Sequence, residues 1–248
     1  MTARRGQPDP ARRQVYERST LMDRIKAILF DHDGTLVDSE PVHYQMWAEI
    51  LGAYGVTLGI DEYARHYAGI PTTTNAGKLI NDYPALPLSA STLIDAKNNA
   101  TRDFLSRSAF PLMPGARQAI DYFHGRALKM AIVTGAGADG VQATVRANQL
   151  DEHISVAVSG DDVNTSKPAP DCYLLALQKL GVDSSECIAI EDTENGVTAA
   201  TRAGIACLAV ATPMTRHHNF GGAMNVFDNL TDATGWMTEN FRLAPDDC

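Results

Sequence analysis

Two pairs of acidic residues each follow a short apolar segment. Asp31 and Asp33 come after the run AILF, and Glu191 and Asp192 come after the run CIAI. Carboxylates gathered beside buried segments repel one another and are costly to desolvate, so they need a cation among them. Oxygen ligands without histidine or cysteine favour Mg²⁺, which usually keeps water and substrate phosphate among its ligands. The two acidic pairs therefore predict a magnesium site.

Three further features supply groups that bind a phosphoryl group. Thr134 offers a hydroxyl, the segment TGAG that it begins offers the backbone amides of Gly135 and Ala136, and Lys167 lies in the turn-forming segment SKPAPD. Hydrogen-bond donors and positive charge around a carboxylate favour phosphoryl transfer. Asp31 is then the candidate nucleophile.

Five short apolar runs predict strands that are buried on both faces of a parallel sheet. They are IKAILF (25–30), KMAIVT (129–134), ISVAV (154–158), CIAI (187–190) and ACLAV (206–210). Helical patterns accompany them at 114–124, 171–180 and 193–203, with Pro114 in a first turn, Asp171 as an N-cap and Gly181 as a helix end. The alternation predicts an α/β fold with a doubly wound, mainly parallel, Rossmann-like sheet, which binds ligands at the carboxyl ends of its strands.

The interval after the first predicted strand is far longer than one crossover connection, at about 100 residues. It contains helical patterns at 41–54, 60–68, 73–82 and 89–107 and no convincing strand. We therefore predict an inserted α-helical cap domain at 38–112, with the α/β core formed by 22–37 and 113–248. Asp38 and Glu40 precede Pro41, so we expect them to cap the first cap helix or to shape the hinge.

Composition limits the partners and the compartment. The net charge of −9 argues against nucleic acid or an anionic membrane as the main partner. Four cysteines without a CxxC pair indicate a reducing, cytoplasmic location, and no apolar run is long enough for a membrane span. The polar residues 1–21 predict a disordered leader, with a targeting role as the alternative. We expect a monomer or a weak dimer.

Four motifs together resemble a known enzyme superfamily. DHDGT at 31–35, Thr134, Lys167 in KPAPD and the ED pair at 191–192 occur in the order of the motifs of haloacid dehalogenase-like (HAD) phosphohydrolases. The sequence is most similar in pattern to the β-phosphoglucomutase/phosphoglycolate-phosphatase-like group with a helical cap. The resemblance covers about residues 25–235.

The resemblance implies a Mg²⁺-dependent phosphatase that hydrolyses a small phosphomonoester, foremost a sugar phosphate, through an aspartyl phosphate. It assigns nucleophilic attack to Asp31 and proton transfer to Asp33. Thr134 and the amides of Gly135 and Ala136 would hold the phosphoryl oxygens, while Lys167 offsets negative charge. The implied metal ligands are Asp31, the backbone carbonyl of Asp33, Asp192, and Glu191 directly or through water.

The cap supplies further candidates for substrate contact. His43 and Trp47 lie four residues apart on the first cap helix, where they face the cleft or pack in an ordinary core. The segment GIPTTTNAGK at 69–78 resembles the specificity loop of the family and makes Thr72 and Lys78 candidates. Relatives commonly carry an apolar residue at the position of His32, and strand alternation points this side chain away from the metal, so we assign it no role.

Two other functions stay open. A β-phosphoglucomutase-type mutase uses the same core, but mutases of this group typically carry an arginine where this chain has Thr72. The loss of that cation makes a second phosphate harder to hold and favours hydrolysis. A non-catalytic metabolite-binding protein is disfavoured because all the core motif residues are present.

Overall fold

The computed structural model describes residues 24–243. Its centre is a parallel sheet of six strands, β2 (Ala27–Phe30), β3 (Lys129–Val133), β4 (Val156–Val158), β5 (Cys187–Glu191), β6 (Ala206–Val210) and β7 (Asn225–Phe227). Their order across the sheet is β4-β3-β2-β5-β6-β7. A separate parallel pair joins β1 (Arg24–Ile25) to β8 (Arg242–Leu243). The predicted leader, 1–21, lies outside the described residues.

Helices cover both faces of the sheet. They are α5 (Ala116–His124), α6 (Ala138–Ala147), α7 (Asp171–Leu180), α8 (Glu194–Arg202) and α9 (Leu230–Asn240). Ile28 and Phe30 of β2 pack in an apolar cluster with α5, α6 and α9, whereas Ala27 and Leu29 pack in a second cluster with α7 and α8. Successive side chains of β2 therefore point to opposite faces, as the period of a strand requires. The predicted doubly wound α/β fold is confirmed.

Four helices form the predicted cap between β2 and α5. They are α1 (Glu40–Gly52), α2 (Ile60–His66), α3 (Thr72–Asp82) and α4 (Ala90–Arg107). Their buried residues form a third apolar cluster that includes Trp47, Tyr63 and Leu93. The two connections to the core meet at one antiparallel bridge between Val37 and Leu112. The helical cap is thus part of the confirmed fold, and its boundaries at 38 and 112 stay a prediction.

Two helix starts differ from the predictions. Helix α5 begins at Ala116 and not at Pro114, because Gly115 precedes it in a left-handed conformation (φ +85°) that a helical residue does not adopt. Asp171 is the first residue of α7, not its N-cap, and its side chain accepts no capping hydrogen bond. The predicted end at Gly181 is confirmed, since this residue is left-handed (φ +65°) and its amide bonds to the carbonyl of Leu177.

Within residues 24–243, no helix combines the length and the apolar character that crossing a bilayer requires.

Candidate active site

Three buried carboxylates meet at the carboxyl edge of the sheet. Asp31 follows β2, Glu191 ends β5 and Asp192 follows it, and the two strands are neighbours in register (Phe30 opposite Ile190). Asp31, Glu191 and Asp192, the acidic cluster, each offer one carboxylate oxygen, and these three oxygens lie within 4.8 Å of one another. The sheet therefore brings together three of the residues predicted to bind metal.

The acidic cluster carries more negative charge than its protein surroundings neutralise. Burial and the neighbouring Glu191 raise the pKa of Asp31 to about 7, although Lys167 acts in the opposite direction. Burial, Asp31 and Glu191 also raise the pKa of Asp192 well above its usual range. Within the described residues, Glu191 Oε2 and Asp192 Oδ1 are buried and accept no hydrogen bond. Buried oxygens of this kind fit a divalent cation, and the all-oxygen set suits Mg²⁺.

Lys167 provides the positive charge beside the acidic cluster. Its Nζ donates to Asp31 Oδ1 (2.5 Å), Glu191 Oε1 (2.6 Å) and the carbonyl of Val133 (2.8 Å). Burial alone would lower the pKa of Lys167, but Asp31 and Glu191 outweigh it and raise that pKa. Glu191 Oε1 also accepts from the hydroxyl of Tyr173 at 2.7 Å, a partner that the sequence analysis missed. Lys167 is thus held charged between two carboxylates.

Thr134 and the segment that follows it form the neighbouring side of the site. Thr134 follows β3, is buried, and lies beside Asp33, with 3.4 Å between Oγ1 and Asp33 Oδ2. Gly135 and Ala136 are exposed ahead of α6. The amide of Ala136 already donates to Thr134 Oγ1 (3.0 Å), so it shapes the turn in addition to the predicted contact with substrate.

Asp33 lies between two histidine rings. His32 Nδ1 is 3.3 Å from Asp33 Oδ2, and His43 Nε2 is 3.8 Å from Asp33 Oδ1. Burial alone would raise the pKa of Asp33, but His32 and His43 hold it well below its usual range. The negative charge of a bound phosphate would act in the opposite direction and favour the protonated form. Asp33 therefore lies close to the acidic cluster with two histidine rings against its carboxylate, and its role in proton transfer stays a prediction.

The comparison with protein families decides the identity of this fold and site. A family model described as haloacid dehalogenase-like hydrolase matches residues 25–204. The chain belongs to this family.

Similar proteins agree with that assignment. The fructose-1-phosphate phosphatase YqaB of Escherichia coli is 34% identical over 185 residues, which cover 75% of this chain and 96% of that protein. The structure of CbbY from Rhodobacter sphaeroides in complex with phosphate has a TM-score of 0.70 at 29% identity and covers 83% of this chain and 94% of the other. A putative β-phosphoglucomutase from Thermotoga maritima has a TM-score of 0.68 at 25% identity, with 87% and 99% covered. The predicted superfamily and subgroup are confirmed, as is the prediction of an enzyme.

The cap of this HAD-like hydrolase reaches the core site through His43 of α1. Lys97 of α4 is buried, and its Nζ donates to His43 Nδ1 and to Thr101 Oγ1, each at 3.0 Å. When Nδ1 accepts from Lys97, Nε2 carries the ring hydrogen and directs it toward Asp33. Burial lowers the pKa of Lys97 to about 8 despite the acids nearby. The sequence analysis missed Lys97, because nothing in a polar helical segment marks a lysine as buried.

The remaining cap candidates have contacts within the cap. Thr72 is partly buried at the start of α3. The ammonium of Lys78 donates to the backbone carbonyl of His66 and lies 5.3 Å from the centre of the Tyr67 ring. Their contact with substrate stays a prediction.

The structure contradicts one of the two roles expected of Glu40. It is the first residue of α1, whose N-cap is Ser39, so it does not cap this helix, and a role in shaping the hinge stays a prediction. Its carboxylate accepts from the hydroxyl of Tyr63 (2.6 Å) and from the amide of Gly69 (2.9 Å). Glu40 therefore ties α2 and the segment before α3 to α1.

The position of His32 is consistent with the expected direction but adds a contact that was not expected. The ring is buried against Thr144 of α6, on the face of the sheet where Phe30 packs, whereas Asp31 faces Lys167 and the acidic cluster. The sequence analysis missed the second contact of the ring, in which Nδ1 lies 3.3 Å from Asp33 Oδ2.

Proposed function

We propose that this HAD-like hydrolase is a Mg²⁺-dependent phosphatase that hydrolyses a small phosphomonoester, a sugar phosphate in particular, through an aspartyl-phosphate intermediate. One observation carries the proposal: Asp31 is held at a strand end by Lys167 inside an acidic cluster that fits a cation. The fructose-1-phosphate phosphatase among its relatives supports a phosphorylated sugar as the substrate.

The residues divide the reaction between them. The free carboxylate oxygen of Asp31 attacks phosphorus while Asp33 gives a proton to the departing oxygen, so that an alcohol leaves and Asp31 carries the phosphoryl group. Asp33 then takes a proton from water, whose oxygen attacks phosphorus. The bond from phosphorus to Asp31 breaks, so that inorganic phosphate leaves and the Asp31 carboxylate is regenerated. Thr134 binds a phosphoryl oxygen that gains negative charge. The ammonium of Lys167, whose hydrogen bonds go to Asp31, Glu191 and the carbonyl of Val133, offsets the negative charge of that group and of Asp31.

Asp31, Glu191 and Asp192 would hold Mg²⁺ together with the backbone carbonyl of Asp33. When bound, the ion supplies positive charge to the phosphoryl oxygens and to the attacking carboxylate. Without it, Lys167 supplies one ammonium to a cluster of three acids, as far as the described residues 24–243 show.

A substrate panel tests the proposal. Purified protein is assayed for phosphate release from fructose 1-phosphate, glucose 1-phosphate, phosphoglycolate and p-nitrophenyl phosphate, with Mg²⁺ and with a chelator. We expect Mg²⁺-dependent release that is abolished in Asp31→Asn. Asp38→Asn is the matched control, because it removes an exposed acid from the same segment of the chain.

Trapping the intermediate tests the proposed route. Borohydride reduces an acyl phosphate to an alcohol, so enzyme quenched during turnover should contain homoserine at position 31, detectable by peptide mass spectrometry. Turnover without this product would refute the covalent route. Conversion of glucose 1-phosphate into glucose 6-phosphate without net phosphate release would instead indicate a mutase.

A further inference from the structure

His32 is a buried histidine to which the roles above assign nothing. Its side chain is 1% exposed, although it lies between two residues of the site, Asp31 and Asp33. One ring nitrogen, Nδ1, is 3.3 Å from Asp33 Oδ2. The other, Nε2, is 2.9 Å from the hydroxyl oxygen of Thr144, which is fully buried on α6. Both polar atoms of the ring therefore have partners.

The hydrogen positions follow from the chemistry of these partners. An ionised carboxylate only accepts hydrogen bonds, so His32 Nδ1 must carry hydrogen and donate to Asp33. In the neutral ring Nε2 is then an acceptor, and Thr144 can donate to it because a hydroxyl is also a donor. The opposite tautomer would place a nitrogen lone pair against a carboxylate oxygen. The carboxylate of Asp33 thus sets the tautomer, and the hydroxyl of Thr144 satisfies and holds the other ring nitrogen.

The surroundings of the ring restrict its rotation. A methyl group added at Gly140 of α6 would lie 3.4 Å from His32 Cε1 and 3.8 Å from the ring of Phe110. The backbone of α6 therefore packs closely over the imidazole. A ring enclosed in this way holds its partner carboxylate more firmly than an exposed side chain could.

The two oxygens of Asp33 have unequal partners. Oδ2 faces both His32 Nδ1 (3.3 Å) and Thr134 Oγ1 (3.4 Å), whereas the partner of Oδ1 on the cap, His43, is 3.8 Å away. An oxygen that already accepts two hydrogen bonds is the poorer place for a proton. The acidic proton of Asp33 is thus directed to Oδ1, the oxygen on the side of the cap.

We propose that His32, fixed by Thr144, is a positioning residue that holds Asp33 Oδ2 and leaves Oδ1 to carry the proton for the leaving group. The inference rests on the proposed phosphatase function. In the step concerned, the bond from phosphorus to the leaving oxygen breaks, the bond from phosphorus to Asp31 forms, and the proton on Asp33 Oδ1 moves to the leaving oxygen.

Two aryl phosphates of nearly the same size provide the test. Nitrophenolate leaves readily without a proton, whereas phenolate is more basic and benefits from the acid, so phenyl phosphate reports the position of Asp33 and p-nitrophenyl phosphate serves as the reference. For each, kcat/KM covers the steps through phosphorylation of Asp31. The ratio of the two values cancels any loss of folded protein.

Four variants separate the two ring nitrogens. His32→Asn keeps an N–H at the place of Nδ1, His32→Gln keeps one only at the place of Nε2, and His32→Leu removes both; Thr144→Val removes the hydroxyl at nearly constant volume. We expect the phenyl/p-nitrophenyl ratio to fall about tenfold in His32→Gln and His32→Leu, a fraction of what general acid catalysis supplies. The ratio should fall less in Thr144→Val, and in His32→Asn it should stay close to the wild-type ratio.

The outcomes separate the inference from the function on which it rests. Unchanged ratios in His32→Gln and His32→Leu, or equal losses in His32→Asn and His32→Gln, would overturn the positioning role while the phosphatase stands. If kcat/KM falls equally for both substrates and the melting temperature is lower, His32 serves only to stabilise the fold, and the inference is overturned as well. If the wild-type protein hydrolyses neither aryl phosphate, the proposed function fails, and the inference fails with it.

Discussion

Replacing Asp31 by asparagine should stabilise the metal-free protein while it abolishes turnover. The pKa of Asp31 is raised from 3.8 to about 7, so ionising this carboxyl destabilises the folded state. The folded state loses stability as the pH rises from the pKa of Asp31 in the unfolded chain to its pKa in the folded protein. A pKa shift of about 3 units corresponds to about 4 kcal/mol of unfolding free energy. This figure already includes the attraction of Lys167, but asparagine lacks the acidic hydrogen of the neutral carboxyl group and packs differently, so we expect about half of this gain. That equals about 4–8 °C in melting temperature for a chain of this size.

Thermal melting in the presence of a chelator measures the effect. Wild type and Asp31→Asn are compared at about pH 8, where Asp31 is ionised in the wild-type protein, and at about pH 5, where it is protonated. The variant should melt higher at the upper pH, and the difference should shrink at the lower one. Asp151→Asn, which removes an exposed acid in a turn, should show no such gain.

Added Mg²⁺ should reverse the order of stability. A ligand that binds only the folded state raises the melting temperature, and the wild-type acidic cluster offers it one more carboxylate than the variant does. An Asp31→Asn protein that melts at or below wild type at about pH 8 without metal would refute the reasoning. A difference that is the same at both pH values would refute it too, because the gain could not then come from ionisation of Asp31.

Three further perturbations test other parts of the site. Gly34→Ala places Cβ 2.1 Å from Asp192 Oδ2 and should weaken Mg²⁺ binding by about tenfold or more in a metal titration. The control is Gly55→Ala, at a similar φ (+76°) with no atom within 4 Å of the added Cβ, which should leave Mg²⁺ binding unchanged. Lys167→Met leaves Asp31 and Glu191 without their ammonium partner. The free energy of unfolding of the metal-free protein should therefore fall by about 3–5 kcal/mol in denaturant unfolding, and phosphate release should be lost. Lys97→Met should raise the melting temperature at about pH 7, since burial lowers the pKa of Lys97 to about 8, and the gain should disappear above about pH 10. A Lys97→Met gain that persists there would contradict the assignment to charge burial.

The sheet was largely predictable because its central strands are continuously apolar. Residues 27–30 and 187–190 are fully buried between helices on both faces of the sheet, and strands buried in this way consist of apolar residues without interruption. The edge strand β7 was not predicted, because its three residues, NVF, include a polar one and are not fully buried. Lys26 also interrupts the first predicted strand, where β1 pairs with β8 and β2 pairs within the main sheet.

The site was predictable where chemistry and strand ends coincide. Asp31 and Asp192 carry a signal because acids rarely follow a buried strand without a reason, and parallel pairing brings them together. The partners of His32, Tyr173 and Lys97 depend on contacts between residues far apart in the sequence, which no local pattern encodes. For His32, alternation from Phe30 indicated the face of the sheet on which the ring lies, but not its hydrogen-bond partner there, Thr144.

The bridge between Val37 and Leu112 has a consequence for how such an enzyme diversifies. The amide of Asp38 bonds to the carbonyl of Pro111 and the amide of Met113 bonds to that of Leu36, each at 2.8 Å, so the two connections to the cap lie side by side. Everything between them enters and leaves the core at one place. Insertions, deletions or whole replacements in that interval leave the strand order of the core untouched. The cap can therefore change in length and sequence without altering the order of the core strands, and His43, which lies against Asp33, is the contact that such a change would have to keep.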